Sequence, residues 1–111
     1  MKNQTAKIVR STDARTFLEG PELCREFINL PKIWLGTSTL HPGQRGNIDP
    51  GHKSSVEVFY VCLGHVLLYD EKYYYELFAG DSIYIPENLP HTLINIGEEM
   101  AVLVWAGAPG E

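Results

Sequence analysis

The sequence predicts an all-β barrel or sandwich, and three observations predict it. Ten glycines and seven prolines punctuate 111 residues, leaving pieces of about five to nine residues between turns. Those pieces are rich in Val, Ile, Tyr, Phe, Trp and Thr, the residues that suit a pleated surface. No window carries a 3.6-residue apolar repeat long enough for a substantial helix. Many short strands at regular spacing, joined by turn residues, are the pattern of a closed or double-sheet β architecture.

Nine strands are expected in order: Lys7–Arg10, Cys24–Asn29, Ile33–His41, Val56–Leu63, His65–Asp70, Tyr73–Leu77, Ser82–Ile85, His91–Ile96 and Ala101–Trp105. Ser11-Thr12-Asp13-Ala14-Arg15 opens with helix-capping residues and reads as one short helical turn. Asp70-Glu71-Lys72, between two Tyr-rich runs, reads as a hairpin turn, and Gly80-Asp81 and Gly97-Glu98 read as two more. The stretch from Pro42 to Gly51, PGQRGNIDPG, reads as a long polar loop, a kind often functional. Tyr73, Tyr74 and Tyr75 are consecutive, so alternation along a strand sends at least one to each face; core or interface packing is the expectation. Trp34 and Trp105 are expected in the core or an interface. With no linker or repeat, residues 1–111 form a single domain in this reading.

Charge and composition exclude several functions. The net charge of −5 argues against nucleic-acid binding, which needs a basic face to neutralise phosphates. No apolar run is long enough for a transmembrane helix, and the N-terminus lacks the apolar centre of a signal peptide, so no membrane association and a cytoplasmic location are expected. Small barrels often pair, which makes a homodimer the expected assembly. The two cysteines, Cys24 and Cys62, are too few for a disulfide framework and are expected to be buried free thiols.

Chemistry concentrates in two segments. Glu57 heads the apolar strand Val56–Leu63 and shares a face with Phe59 and Val61. If that face is the core, a lone carboxylate there needs a cation or hydrogen-bond donors. His91 shares a face with Leu93 and Asn95. Two imidazoles and a carboxylate suit zinc, manganese, iron, nickel or copper. Arg45 and Lys53, in the loop before the strand that carries Glu57, are candidates for holding a carboxylate or phosphate, although solvated loop charges are the expected reading.

The spacing of these residues resembles the cupin family. Glu57 is followed by six residues and Gly64, as in the first cupin motif. Gly80 is followed by five residues and Pro86; Asn88 stands where the second motif has a glycine, and His91 and Asn95 follow at the usual intervals. The likeness covers about Thr39 to Trp105. Of the usual His-x-His pair, one histidine is missing. In the preferred register His52 is the second histidine and Pro50 replaces the first; in the other, His52 is the first and Ser54 replaces the second. The resemblance implies a double-stranded β-helix, or jelly-roll, barrel holding one divalent metal ion on His52, Glu57 and His91. The fourth position falls to Asp49, His41, His65 or water. It implies that Glu57 is a ligand or a proton shuttle, and that His65, Tyr84 and Asn95 line a substrate cavity. It further implies a small polar ligand, an organic acid or a sugar derivative, and, for an enzyme, dioxygenase, isomerase or lyase chemistry. A non-catalytic binding or sensing protein with a degenerate metal site is the alternative.

Overall fold

A computed structural model describes residues 5–110. Nine strands follow a short 3-10 turn over Ser11–Asp13: β1 Arg15–Glu19, β2 Glu22–Asn29, β3 Trp34–Leu40, β4 Val56–Leu63, β5 His65–Tyr69, β6 Tyr74–Phe78, β7 Ser82–Ile85, β8 Thr92–Asn95 and β9 Ala101–Ala108. They form a six-stranded sheet in the order β1-β2-β3-β9-β4-β7 and a three-stranded sheet in the order β6-β5-β8. Every pairing is antiparallel. The loop after β3 runs along the free side of β8, with bridges Arg45 to Ile94 and Asp49 to His91. It thereby supplies a fourth, irregular member of the smaller sheet.

The period-2 pattern decides which side chains meet between the sheets. On β3, Trp34, Gly36, Ser38 and Leu40 are buried, and on β9 Ala101, Leu103, Trp105 and Gly107 are buried. The register places each tryptophan opposite a glycine, Trp34 beside Gly107 and Trp105 beside Gly36. A Cβ on Gly107 would lie 1.8 Å from the Trp34 indole, and one on Gly36 2.1 Å from that of Trp105. Large and small residues thus interlock across the pair, and any side chain at either glycine would displace an indole. Leu40, Val61, Val66, Leu68 and Leu103 complete the fully buried core.

Two strand expectations change. Lys7–Arg10 forms no strand: its residues are exposed and pair with no strand among the described residues, and a strand requires such a partner whatever its side-chain propensity. Arg15–Glu19 is an edge strand instead, and the predicted helical turn stops at Asp13. This strand is nearly all exposed, so its sequence carries little of the alternation that marks a half-buried strand. Cys24 is buried as expected, whereas Cys62 is exposed, beside the bulge between Val61 and Leu63. Tyr73, Tyr74 and Tyr75 are all exposed. They belong to a hairpin end where Tyr74 stacks on Tyr69 at 4.3 Å and the Tyr75 hydroxyl donates to Asp70 at 3.0 Å.

Candidate metal centre and its cavity

Four side chains converge at one end of the barrel. Glu57 points inward from β4, on the face it shares with Phe59 and Val61. His91 precedes β8 and is held in register opposite Asp49 by two backbone hydrogen bonds, Asp49 N to His91 O at 2.8 Å and His91 N to Asp49 O at 2.9 Å. Asp49 uses Oδ1 to accept from the Gly51 amide at 2.9 Å, which leaves Oδ2 facing the cluster. His52 follows on the same loop. Its carbonyl accepts from the Asn88 amide at 2.8 Å, and its ring packs on Trp34 at 4.7 Å. Asn88 has φ +61°, in the left-handed region where glycine and asparagine are the residues most often found. That explains how asparagine stands in the glycine position of the second motif.

The distances are compatible with a metal-ligand set. His91 Nε2 lies 3.2 Å from Glu57 Oε1 and 3.7 Å from Asp49 Oδ2. His52 Nε2 lies 3.6 Å from Glu57 Oε1 and 3.9 Å from Asp49 Oδ2. Two ligand atoms each about 2.1 Å from one ion, at angles of roughly 90–110°, are about 3–3.5 Å apart. Asp49, Glu57 and His91 form the tightest group, with their ligand atoms all within 4.8 Å of one another. Asp49 thus brings the carboxylate that sequence reasoning left among several choices for the fourth position.

His91 carries the strongest sign of a cation. Its Nδ1 lies 2.9 Å from the Leu89 carbonyl, to which it donates. In the neutral ring, Nε2 is then a bare lone pair facing a carboxylate oxygen. Glu57 Oε1 and His91 Nε2 are both buried and make no hydrogen bond. Two buried acceptors facing each other are costly unless a proton or a metal ion stands between them. Burial is the largest single influence on the His91 imidazolium and disfavours it. The Glu57 carboxylate, the Leu89 carbonyl and Asp49 together outweigh burial and raise its pKa above the ordinary value. The donor set and the orphaned pair fit a divalent ion bound by imidazole and carboxylate.

The cluster opens into a cavity of about 480 Å³ between the barrel sheets, the β1–β2 hairpin and the loop after β3. That volume lies within the usual range for small-molecule sites. Trp34, Phe59 and Trp105 supply its apolar wall. Glu22, on β2, is a lining residue that sequence reasoning missed. Its Oε2 accepts from Ser38 Oγ and from Cys24 Sγ at 3.5 Å, while Ser38 Oγ accepts from Trp105 Nε1 at 2.9 Å. Burial is the main influence raising the Glu22 carboxyl above its ordinary pKa; the bonds from Ser38 and Cys24 oppose it, and Glu19 and Asp49 add to it. Burial also pushes the Cys24 thiol up to about 12, too high for a nucleophile. The signal for Glu22 in the sequence was its inward position on β2, hidden because the expected strand began at Cys24.

Three residues expected in the cavity lie elsewhere. Tyr84 is exposed on the outer face of β7, paired with the outward Val58. His65 sits toward the other end of β5, 2.7 Å from Glu76 and stacked on Phe78 at 4.2 Å. Asn95 is buried but committed to structure: Nδ2 donates to the carbonyls of Leu40 and Glu99, each at 2.9 Å, and Oδ1 accepts from the Gly97 amide at 2.8 Å. It closes a turn, and its motif position reflects that. His41 is an exposed turn residue, and Arg45 and Lys53 are exposed and do not line the cavity. Among the described residues no helix is long and apolar enough to cross a membrane.

Comparison with known proteins places this geometry in a family. Over 46 residues the chain is 39% identical to the uncharacterized protein MJ1618 of Methanocaldococcus jannaschii; the match covers 41% of this chain and only 37% of that protein. Among solved structures, KdgF from Halomonas sp. superposes with a TM-score of 0.79 at 15% identity, covering 96% of both chains. A predicted oxalate decarboxylase from Thermotoga maritima gives 0.74 at 18% identity, covering 93% of this chain and 99% of its own. Pac13, a nucleoside dehydratase of Streptomyces, gives 0.77 at 18% identity, covering 95% and 83%. At such identities these likenesses establish the double-stranded β-helix fold alone. The family model for the cupin domain matches residues 36–107, a stretch that contains both motifs and the four converging side chains, and the chain belongs to the cupin family.

Proposed function

We propose that this cupin holds one divalent metal ion on Asp49, His52, Glu57 and His91 and binds a small polar metabolite in the adjoining cavity. The observation that carries the reading is the buried, facing and unpartnered pair Glu57 Oε1 and His91 Nε2. A bound ion would act there as a Lewis acid toward a ligand oxygen or a bound water. The protein's own groups do the rest. Leu89 fixes the His91 tautomer, Gly51 orients Asp49, and Trp34 packs the His52 ring. Trp34, Phe59 and Trp105 exclude water from one wall. The neighbours of this fold described as a predicted oxalate decarboxylase and a nucleoside dehydratase support small metabolites as the ligand class. A homodimer and a cytoplasmic location remain part of the proposal.

The test is elemental analysis of protein purified without chelator or nickel resin, beside His91→Ala and Glu57→Ala. Near-stoichiometric metal in the parent and its loss in both variants, which still fold, is the expected result. A parent without metal after supplementation sinks the reading.

A further inference from the structure

Resting on the metal-centred reading above, we propose that the cavity takes a small ligand with no acidic group, a polyol or amino alcohol, whose hydrogen-bond donors are held by Glu22 while its other end faces the metal cluster. The lining carries five carboxylates: Glu19, Glu22, Glu26, Asp49 and Glu57. Among the described lining residues there is no lysine or arginine. Arg15, outside the lining, offsets Glu26 at 3.1 Å. A divalent ion offsets Asp49 and Glu57. Glu19 and Glu22 then stand without a counter-charge in the described wall. An oxalate-like dianion or a phosphate would meet like charge and no bidentate cation, the pairing such groups usually find.

Glu22 is built into this position. It is 8% exposed, yet no cation among the described residues balances it, and an uncompensated buried carboxylate is costly. The donor chain from Trp105 through Ser38, together with the Cys24 thiol, converges on Oε2. Oε1 takes none of these bonds. It lies against Gly46, where a Cβ would come within 2.2 Å of it, so the loop glycine leaves the space the carboxyl fills. A side chain needed only to accept from Ser38 would not have to carry charge; glutamine would accept equally well. A carboxyl fixed through Oε2 by Ser38 and Cys24, in the wall of a cavity whose other end presents two unpartnered buried polar atoms, is placed to meet donors on a ligand.

The test uses three probes with one carbon skeleton: 3-amino-1,2-propanediol, glycerol and glycerate, titrated calorimetrically into metal-loaded protein. The expected order of affinity is amine, then polyol, then acid, with at least about a tenfold span from first to last. Glu22→Gln keeps its metal and narrows that span to about twofold. Glu19→Gln, on the exposed rim, narrows it by a smaller factor and serves if the buried variant folds poorly. Glycerate binding as tightly as the amine, an unchanged span in both variants, or no binding of any probe to the metal-loaded parent overturns the proposal. Metal content measured on the same samples separates the two failures. Absent metal in the parent overturns the metal-centred reading; retained metal with the wrong order overturns only the ligand class.

Discussion

Two of the histidine–carboxylate contacts in this barrel, His65 with Glu76 and His91 with Glu57, differ sharply in setting, and the closer one is the less consequential. His65 and Glu76 meet at 2.7 Å, with side chains 30% and 54% exposed. His91 and Glu57 stand 3.2 Å apart, with side chains only 2% and 6% exposed. In the first pair water solvates both partners, so the contact contributes little whether or not the imidazole is charged. In the second, both facing atoms are buried and unpartnered, a demand that a proton on Nε2 or a cation between them would meet. Burial and an unmet bonding demand, rather than a short distance, distinguish a site from a surface contact.

Breaking the buried pair should have the largest effect. His91→Ala removes a proposed ligand and is expected to lower metal affinity by about 100-fold or more, since loss of supporting groups alone costs roughly 10–100-fold. Competition with a metal-sensitive chelator dye measures it, and an affinity within a few-fold of the parent would take His91 out of the site. Asn95→Ala tests a buried polar residue on the same β8 segment that has all its bonds made. It should destabilise the fold by about 2–4 kcal/mol in urea unfolding, because two carbonyls and an amide lose their partner. Metal content per folded molecule should not change, and a loss of metal would return Asn95 to the site.

Glu22→Gln sharpens the contrast between burial and exposure through pH. A carboxyl whose folded pKa is raised is better accommodated protonated, so its favourable contribution is present below the unfolded pKa and is lost as pH rises through the folded value. The glutamine variant should therefore match the parent at about pH 4 and melt higher than it at about pH 8. A gap that does not widen with pH would show that Glu22 is not ionised at a cost in the fold. The smallest effect belongs to His65→Ala, with a stability change of about 0.5–1 kcal/mol at most and no change in metal content. Loss of metal in that variant would overturn the contrast between the two pairs.

Much of the fold was legible before any coordinates. Gly64, Gly80 and Pro86 bound strands that form where expected, because turn chemistry is local: Gly64 and Gly80 both have positive φ. The two edge segments were not legible. Residues 7–10 carry strand-forming side chains but no strand pairing among the described residues, whereas Arg15–Glu19 has a partner strand but little burial to pattern its sequence. The site divides in the same way. Glu57 and His91 were readable from alternation and spacing. Glu22 was not, since its role depends on Ser38 and Trp105, sixteen and eighty-three residues away in the chain.

The sequence by itself determined the all-β class and which residues of β4 share a face, because period-2 alternation and turn residues act over a few positions, and its likeness to the cupin motifs supplied the candidate set His52, Glu57 and His91. Only the tertiary structure decided that Asp49 joins them, that Tyr84 and His65 stand away from the cavity, and that Asn95 serves a turn. Those outcomes depend on which strands lie side by side: the pairing of Asp49 with His91 and of Val58 with Tyr84 joins residues tens of positions apart. Local chemistry chooses the face a side chain takes, and sheet closure chooses what it meets there.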